Sequence, residues 1–336
     1  MRKLFFLGVI AAAALAAQSR NLDIYWIDTE GGAATLIVTP SGQSLLADTG
    51  NPGPADRDPK RIFEVAKLAG LSKIDLLVTT HYHSDHVGGA PALAKLIPIG
   101  KFYDHGESVE ASDPNGARLF NAYKATAGEN RTVLKPGDKI PLEGVQVTVL
   151  TSNGEVIAKP LPGSGPNPVC KDAQTKPPDT TENQRSAGFL LTYGRFKFLD
   201  LGDLTWDKEM ELACPVNKIG TVTLFQATHH GFHLDYSGAP ALVWALKPQV
   251  VIVNNGARKG LGMNAYETIA KIPGLEASWQ LHRSVANDDA HNVREQTIAN
   301  VDPASDGHWI KASVSKDGKF TITNSRNDYS KTYTAR

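Results

Sequence analysis

The sequence predicts an α+β fold, with β-sheets packed as a sandwich and covered by helices. Three observations carry this reading. Apolar, β-branched runs of strand length alternate with segments of helical periodicity, which is the pattern of a sheet covered by helices. The second half of the chain repeats the logic of the first, although no internal repeat is visible as residue identity. Finally, four predicted strands end in polar residues of ligand type: Asp48, the His81–His86 loop, Asp203 and His229-His230. Loops gathered on one rim of a sheet sandwich account for that recurrence. Taken alone, Asp48 and Asp203 would read as turn residues.

In chain order, Arg2-Lys3 followed by an apolar run from Leu4 to Leu15 and Ala14-Leu15-Ala16 reads as a secretory signal peptide over residues 1–17. The run is shorter than the ~20 residues a membrane span needs. No later segment is long and apolar enough to cross a membrane. The expectation is a periplasmic or secreted protein of one domain over residues 21–336. Leu22–Ile27, Ala33–Thr39 and Gln43–Asp48 read as a meander of strands separated by turns. Arg61–Ala69 has helical spacing and stops at Gly70. Ile74–Thr80 is a buried strand leading into the histidine loop, and Pro91–Leu96 a short helix. Ala117–Ala127 reads as a helix, and Thr132–Ile140 and Val145–Leu150 as two strands around a turn.

Residues from about 160 to 181 are rich in Pro, Gly, Asp and Lys and read as a long surface loop. Ala187–Tyr193 and Phe196–Leu201 form a hairpin through Gly194-Arg195. Thr221–Thr228 and Val250–Val253 are strands, Ala265–Ile272 a helix, and residues 307–325 a terminal hairpin around Lys316-Asp317-Gly318. The two cysteines, Cys170 and Cys214, suggest one disulfide in an exported chain, with two free thiols as the alternative.

Composition narrows the partners. The chain has 336 residues, 41% hydrophobic and 21% charged, with Lys+Arg and Asp+Glu both at 35. A neutral chain advertises no general affinity for polyanions or membranes. Aromatic residues interleaved with Lys/Arg are concentrated nowhere, so long nucleic acid fits less well than a small molecule or nucleotide. No protein partner is evident.

The chemistry centres on His81-Tyr82-His83-Ser84-Asp85-His86, followed by Gly88-Gly89. Imidazole and carboxylate are ligands for zinc and similar divalent ions. In extended backbone His81 and His83 point to one side, and a following turn can bring Asp85 and His86 round to the same spot. A lone surface histidine would be structural; four ligand-type residues in six positions are not explained as a solvated loop.

This His-x-His-x-Asp-His run behind a hydrophobic strand resembles the signature of the metallo-β-lactamase-fold hydrolases. The resemblance implies an αββα sandwich of two mixed β-sheets flanked by helices. It also implies one or two divalent metal ions, zinc first, with manganese compatible. His81 and His83 would bind the first ion, and Asp85 and His86 the second. Asp203 would bridge both, and His229 would complete the second site. Asp48 would orient a ligand histidine from outside the ligand set. Within the superfamily, Leu199–Leu204, Thr228-His229-His230-Gly231 and Val253-Asn254-Asn255-Gly256 are similar to the hydrolase domain of ComEC-type DNA-uptake competence proteins.

Two departures stand out. Where many members carry a histidine before the hairpin, this chain has Thr181-Glu182-Asn183. Asn183 is a poor ligand and is assigned outside the ligand set, which leaves the first site water-filled, weak or empty; Glu182 is a possible substitute. Where the competence-type group carries His-Pro, this chain has Gly262-Met263-Asn264.

The implied mechanism is a water whose pKa falls from about 15.7 toward about 7 at the metal, attacking a carbonyl carbon or phosphorus. Asp85 and His230 are the candidate catalytic residues, with His230 placed to protonate a leaving group or contact a phosphate; a solvated or ligand-supporting histidine is its bland reading. His233, Tyr236 and Arg185 are candidates for the pocket lining, and His105, His282, His291 and His308 are structural or surface residues. The expected activity is hydrolysis of a phosphodiester or nucleotide. The alternatives are a lactone, β-lactam or ester hydrolase, and a non-catalytic binding protein that keeps a partial metal site.

Overall fold

The structure, a computed structural model, describes residues 20–304 and 307–336. The predicted signal peptide at 1–17 lies outside the described residues. Two large mixed sheets form the centre. In the first, nine strands run in the order Ser330–Thr334, Lys319–Asn324, Ile310–Val314, Leu22–Trp26, Thr35–Val38, Ser44–Ala47, Ile74–Val78, Ile99–Asp104 and Arg131–Val133. In the second, eight strands run Ile298–Asn300, Ala277–His282, Val250–Val253, Leu224–Gln226, Phe196–Asp200, Phe189–Tyr193, Gln146–Val149 and Lys139–Ile140.

Both sheets are built on one plan. Each is antiparallel on one side and parallel on the other. The change comes at Ser44–Ala47 against Ile74–Val78 in the first sheet, and at Phe196–Asp200 against Leu224–Gln226 in the second. Parallel neighbours end on the same side of a sheet, so their exit loops share one rim.

Strand alternation makes the layers. Ile24 and Trp26 point into a core shared with Phe189, Phe198, Leu224 and Ile252 of the other sheet. Tyr25 and Ile27, one residue out of phase, join Ile62, Val65 and Ala66 of the Arg57–Leu68 helix and Phe120 and Tyr123 of the Pro114–Ala127 helix. On the far side, Leu199, Phe225 and Val251 pack against Leu212 and Leu242, from the Trp206–Ala213 and Pro240–Leu246 helices. The result is helix, sheet, sheet, helix, and each fully buried side chain of this size contributes roughly 1.5–3 kcal/mol. Polar groups tie the sheets together: Trp26 Nε1 donates to Gln226 Oε1 at 2.7 Å, and Thr35 Oγ1 donates to the same oxygen at 2.8 Å.

Several elements differ from the sequence reading. The Trp206–Ala213 and Pro240–Leu246 helices and the Ala277–His282, Ile298–Asn300 and Ser330–Thr334 strands were not foreseen. The terminal hairpin gains a third strand, because Ser330–Thr334 pairs antiparallel with Lys319–Asn324. The 160–181 segment is anchored at two points: Gly165–Pro166 pairs with Val216–Asn217, and Cys170 is disulfide-bonded to Cys214.

Candidate metal centre

Four strand ends supply the site. Ser44–Ala47 leads to Asp48, Ile74–Val78 to His81–His86, Phe196–Asp200 to Asp203, and Leu224–Gln226 to His229 and His230. All of these strands lie in or beside the parallel parts of the sheets.

Asp85, His86, Asp203 and His230 converge most closely. One ligand atom from each lies within 4.8 Å of the others. His86 Nε2 is 3.2 Å from Asp203 Oδ2 and 3.5 Å from Asp85 Oδ2. His230 Nε2 is 3.2 Å from Asp85 Oδ2, 3.3 Å from Asp203 Oδ2 and 3.2 Å from His86 Nε2. Two imidazole nitrogens and two carboxylate oxygens around one point form a donor set suited to a divalent cation. The side chains of His86 and His230 are fully buried, whereas Asp85 retains 16% exposure and marks the mouth.

The sequence reading put His229 in the second site and His230 outside it. The geometry places His230 among the four convergent groups. His229 Nε2 reaches Asp203 Oδ2 at 3.3 Å from the other side, and its ring stacks on Tyr236 at 6.4 Å between centroids.

His81 and His83 form an adjoining pair. His81 Nε2 is 3.2 Å from His83 Nδ1 and 3.9 Å from Asp203 Oδ2. Among the described residues, Asp203 is thus the carboxylate that lies within 4 Å of both groups of ligands. The other nitrogen of His83, Nε2, meets Glu110 Oε1 at 3.3 Å. Sequence reasoning missed Glu110, which lies in an acidic loop with no spacing signal.

Asp48 stands behind His86. Its Oδ2 is 2.7 Å from His86 Nδ1 and accepts Thr80 Oγ1 at 2.7 Å, while its Oδ1 accepts Thr80 N at 2.8 Å. A carboxylate fixed in this way orients the ring and leaves Nε2 facing inward.

Glu182 is committed elsewhere. Its Oε1 accepts Ser108 Oγ at 2.6 Å and Val109 N at 2.7 Å, and its Oε2 faces His105 Nε2 at 2.9 Å. It bolts the 105–110 loop in place. Asn183 is buried, with its Oδ1 unpartnered among the described residues. Arg185 donates to Asn153 O, and His233 Nδ1 accepts Gly260 N at 3.3 Å. Of the histidines read as structural, His282 meets Asp28 at 2.7 Å and His291 meets Asp288 at 2.6 Å.

A second residue missed by sequence reasoning is Lys259, whose ammonium is ion-paired with Asp85 Oδ2. It follows the Asn254-Asn255-Gly256 stretch that had drawn notice for a different reason.

Charge and burial act together here. Burial would raise the Asp85 and Asp203 carboxyls, but the surrounding imidazoles outweigh it and hold both well below the usual carboxylate range. Burial would lower His86, but Asp203, Asp48 and Asp85 raise it well above an ordinary histidine. Burial dominates at His81, which is pushed well down, and at His229, which falls to about 4. Ionised carboxylates and unprotonated imidazoles are the forms that bind metal; His86 takes a proton readily because a cation's worth of negative charge surrounds it.

The chain is similar to known proteins over parts of its length. Residues 27–170 match the model of the Metallo-beta-lactamase superfamily. A UPF0173 metal-dependent hydrolase of Cupriavidus necator is 40% identical over 74 residues, which is 22% of this chain and 23% of that protein. The chain thus spans about a quarter of the length of the first curated relatives it matches. An atrochrysone carboxyl ACP thioesterase of a Cryptosporiopsis species is 32% identical over 108 residues, 32% of each chain. Among solved structures, the metallo-beta-lactamase fold protein YhfI of Bacillus subtilis aligns at 13% identity with a TM-score of 0.46, over 77% of this chain and 95% of that one. With two mixed sheets between helices and a superfamily match that takes in the whole His81–His86 loop, the chain has the metallo-β-lactamase fold.

Proposed function

We propose that this protein is a metal-dependent hydrolase acting on a phosphodiester or nucleotide. The observation that carries the reading is the convergence of Asp85, His86, Asp203 and His230 within 4.8 Å. A divalent ion held by such donors makes water acidic enough to ionise near neutral pH. The protein's own residues do the rest. Asp48 fixes the His86 ring. His229, kept neutral by burial, lies across Asp203 and can carry a proton at Nε2. Lys259, ion-paired with Asp85 at the mouth, offers an ammonium that an anionic substrate group could share. A kinship with ComEC-type hydrolase domains, expected from Leu199–Leu204 and Thr228–Gly231, is part of this proposal and not a support for it.

An ester or thioester is the second reading, favoured by the thioesterase relative. Export belongs to the same proposal and is supported by the Cys170–Cys214 disulfide.

The test is metal content by elemental analysis, together with turnover of bis(p-nitrophenyl) phosphate, a chromogenic thioester, a lactone and a β-lactam. The proposal expects bound zinc or manganese and chelator-sensitive phosphodiester cleavage. Thioester or lactone turnover alone would move the substrate to the second reading. Bound metal with no turnover on any of them would leave a binding protein.

A further inference from the structure

The structure assigns Glu110 as the residue that positions His83 for the first metal ion. The inference rests on the metal-binding reading above. His83 has two ring nitrogens, and a neutral imidazole carries its proton on only one of them. Its Nδ1 faces His81 Nε2 at 3.2 Å, on the ligand side. Its Nε2 faces Glu110 Oε1 at 3.3 Å, on the opposite side. A carboxylate is an acceptor only, so the Nε2–H tautomer is favoured and Nδ1 keeps its lone pair for the ion.

Glu110 is itself held. Its Oε1 also accepts Glu182 N at 3.2 Å, and its own N–H donates to Ser108 Oγ at 3.1 Å. Ser108 in turn donates to Glu182 Oε1 at 2.6 Å. Glu182 also takes Tyr82 N at 3.3 Å, next to both His81 and His83. The stretch that lacks a histidine at 181–183 is thereby put to another use. Its carboxylate anchors the loop that brings Glu110 onto His83, so the pair His81–His83 is oriented without a third imidazole. Glu110 is a positioning residue: it acts through His83 and keeps 31% of its side-chain surface exposed.

Zinc alone is the probe, added to the metal-free full chain and followed by calorimetry. A ¹⁵N–¹H correlation of the histidine rings in the metal-free protein reads the tautomer that Glu110 sets before any ion binds. In the wild-type protein His83 should show a proton on Nε2. E110A should lose that signature and weaken one zinc-binding step by about 10–100-fold, the usual effect of removing an outer partner of a ligand histidine. The step that depends on Asp85 and His230 should stay within about threefold of wild type on the same scale. E110Q, whose amide oxygen still accepts from Nε2–H, should fall between the two and keep the tautomer. The inference is overturned if E110A leaves the His83 tautomer and every zinc step unchanged, or if both steps weaken together with a loss of folded structure in E110A but not in E110Q. A wild-type chain that binds no zinc would instead overturn the metal-binding reading itself.

Discussion

The two loops that bring histidines to the centre do so by opposite means. The first is locally ordinary. His83 is extended, at φ −67° and ψ 150°, and Ser84–Val87 then makes one helical turn. Spacing in the sequence translates directly into spacing in space: alternate residues share a side, and one turn brings Asp85 and His86 back to it. The second loop is contorted. His229, His230 and Phe232 all have left-handed backbone, at φ 52°, 57° and 60°, with Gly231 at 89° between them. Each such non-glycine residue costs of order 1–3 kcal/mol and persists only where its surroundings hold it. Here they do: His229 N donates to Gly202 O at 3.0 Å, Leu261 N donates to Gly231 O at 3.0 Å, and Ala227 N donates to Ile252 O at 2.9 Å. The difference teaches that a ligand can be read from its neighbours only where the backbone between them is regular.

The strongest way to break the comparison is to remove the group both loops share. Asp203 Oδ2 lies 3.2–3.9 Å from nitrogens of His81, His86, His229 and His230. D203N should weaken metal binding by more than ~100-fold, beyond the outer-partner range, and abolish hydrolysis; elemental analysis and the phosphodiester assay check it. Next comes the contorted loop itself. H230A should approach the D203N loss, because His230 touches Asp85, His86 and Asp203. H229A removes a contact to Asp203 alone among the four and should cost about 10–100-fold in metal affinity. The reverse order would return the ligand role to His229, where the sequence had put it.

That ambiguity shows where reading the sequence stops. The strands were legible as apolar, β-branched runs bounded by turn residues, such as Ile74–Thr80, and the αββα layering followed from the resemblance carried by the His81–His86 motif. His81, His83, Asp85 and His86 could be named because a regular loop keeps them together. His229 and His230 could be named as a pair but not told apart, since consecutive left-handed residues reverse the usual facing. Glu110 and Lys259 carried no signal at all. They arrive from separate loops through Glu182 and through the turn in which Gly256 N donates to Lys259 O at 2.9 Å. Pro240–Leu246 was missed for a simpler reason: an unbroken apolar run fits a buried strand as well as a helix.

A smaller effect sharpens the strain argument. G231A should destabilise the fold by more than ~1 kcal/mol, because a left-handed φ disfavours any side chain. A Cβ there would also lie 2.7 Å from Val253 Cγ1. Gly70 is the control, at φ 78° with nothing within 4 Å of its Cβ position. G70A should show the backbone cost alone, so a larger fall in Tm for G231A measures the packing around the contorted loop. Equal shifts would mean the loop has room and is not held tightly.

The mildest test concerns a carboxyl buried on the helix side of the second sheet. Glu209, fully buried on the Trp206–Ala213 helix, accepts Ala239 N at 2.8 Å. Burial pushes its carboxyl from 4.5 up to about 7, against the pull of that hydrogen bond. Between those two values the folded chain holds a proton that the unfolded chain has released, so stability falls as pH rises through the window. Below about 4.5 Glu209 contributes fully, and above about 7 its contribution is gone. E209Q cannot titrate, so the stability of wild type relative to E209Q should fall with pH by at most ~1.4 kcal/mol per unit across that range and level off on either side. Denaturant unfolding at half-unit steps from pH 4 to 8 measures it. A flat difference would mean that Glu209 is ionised throughout in the fold.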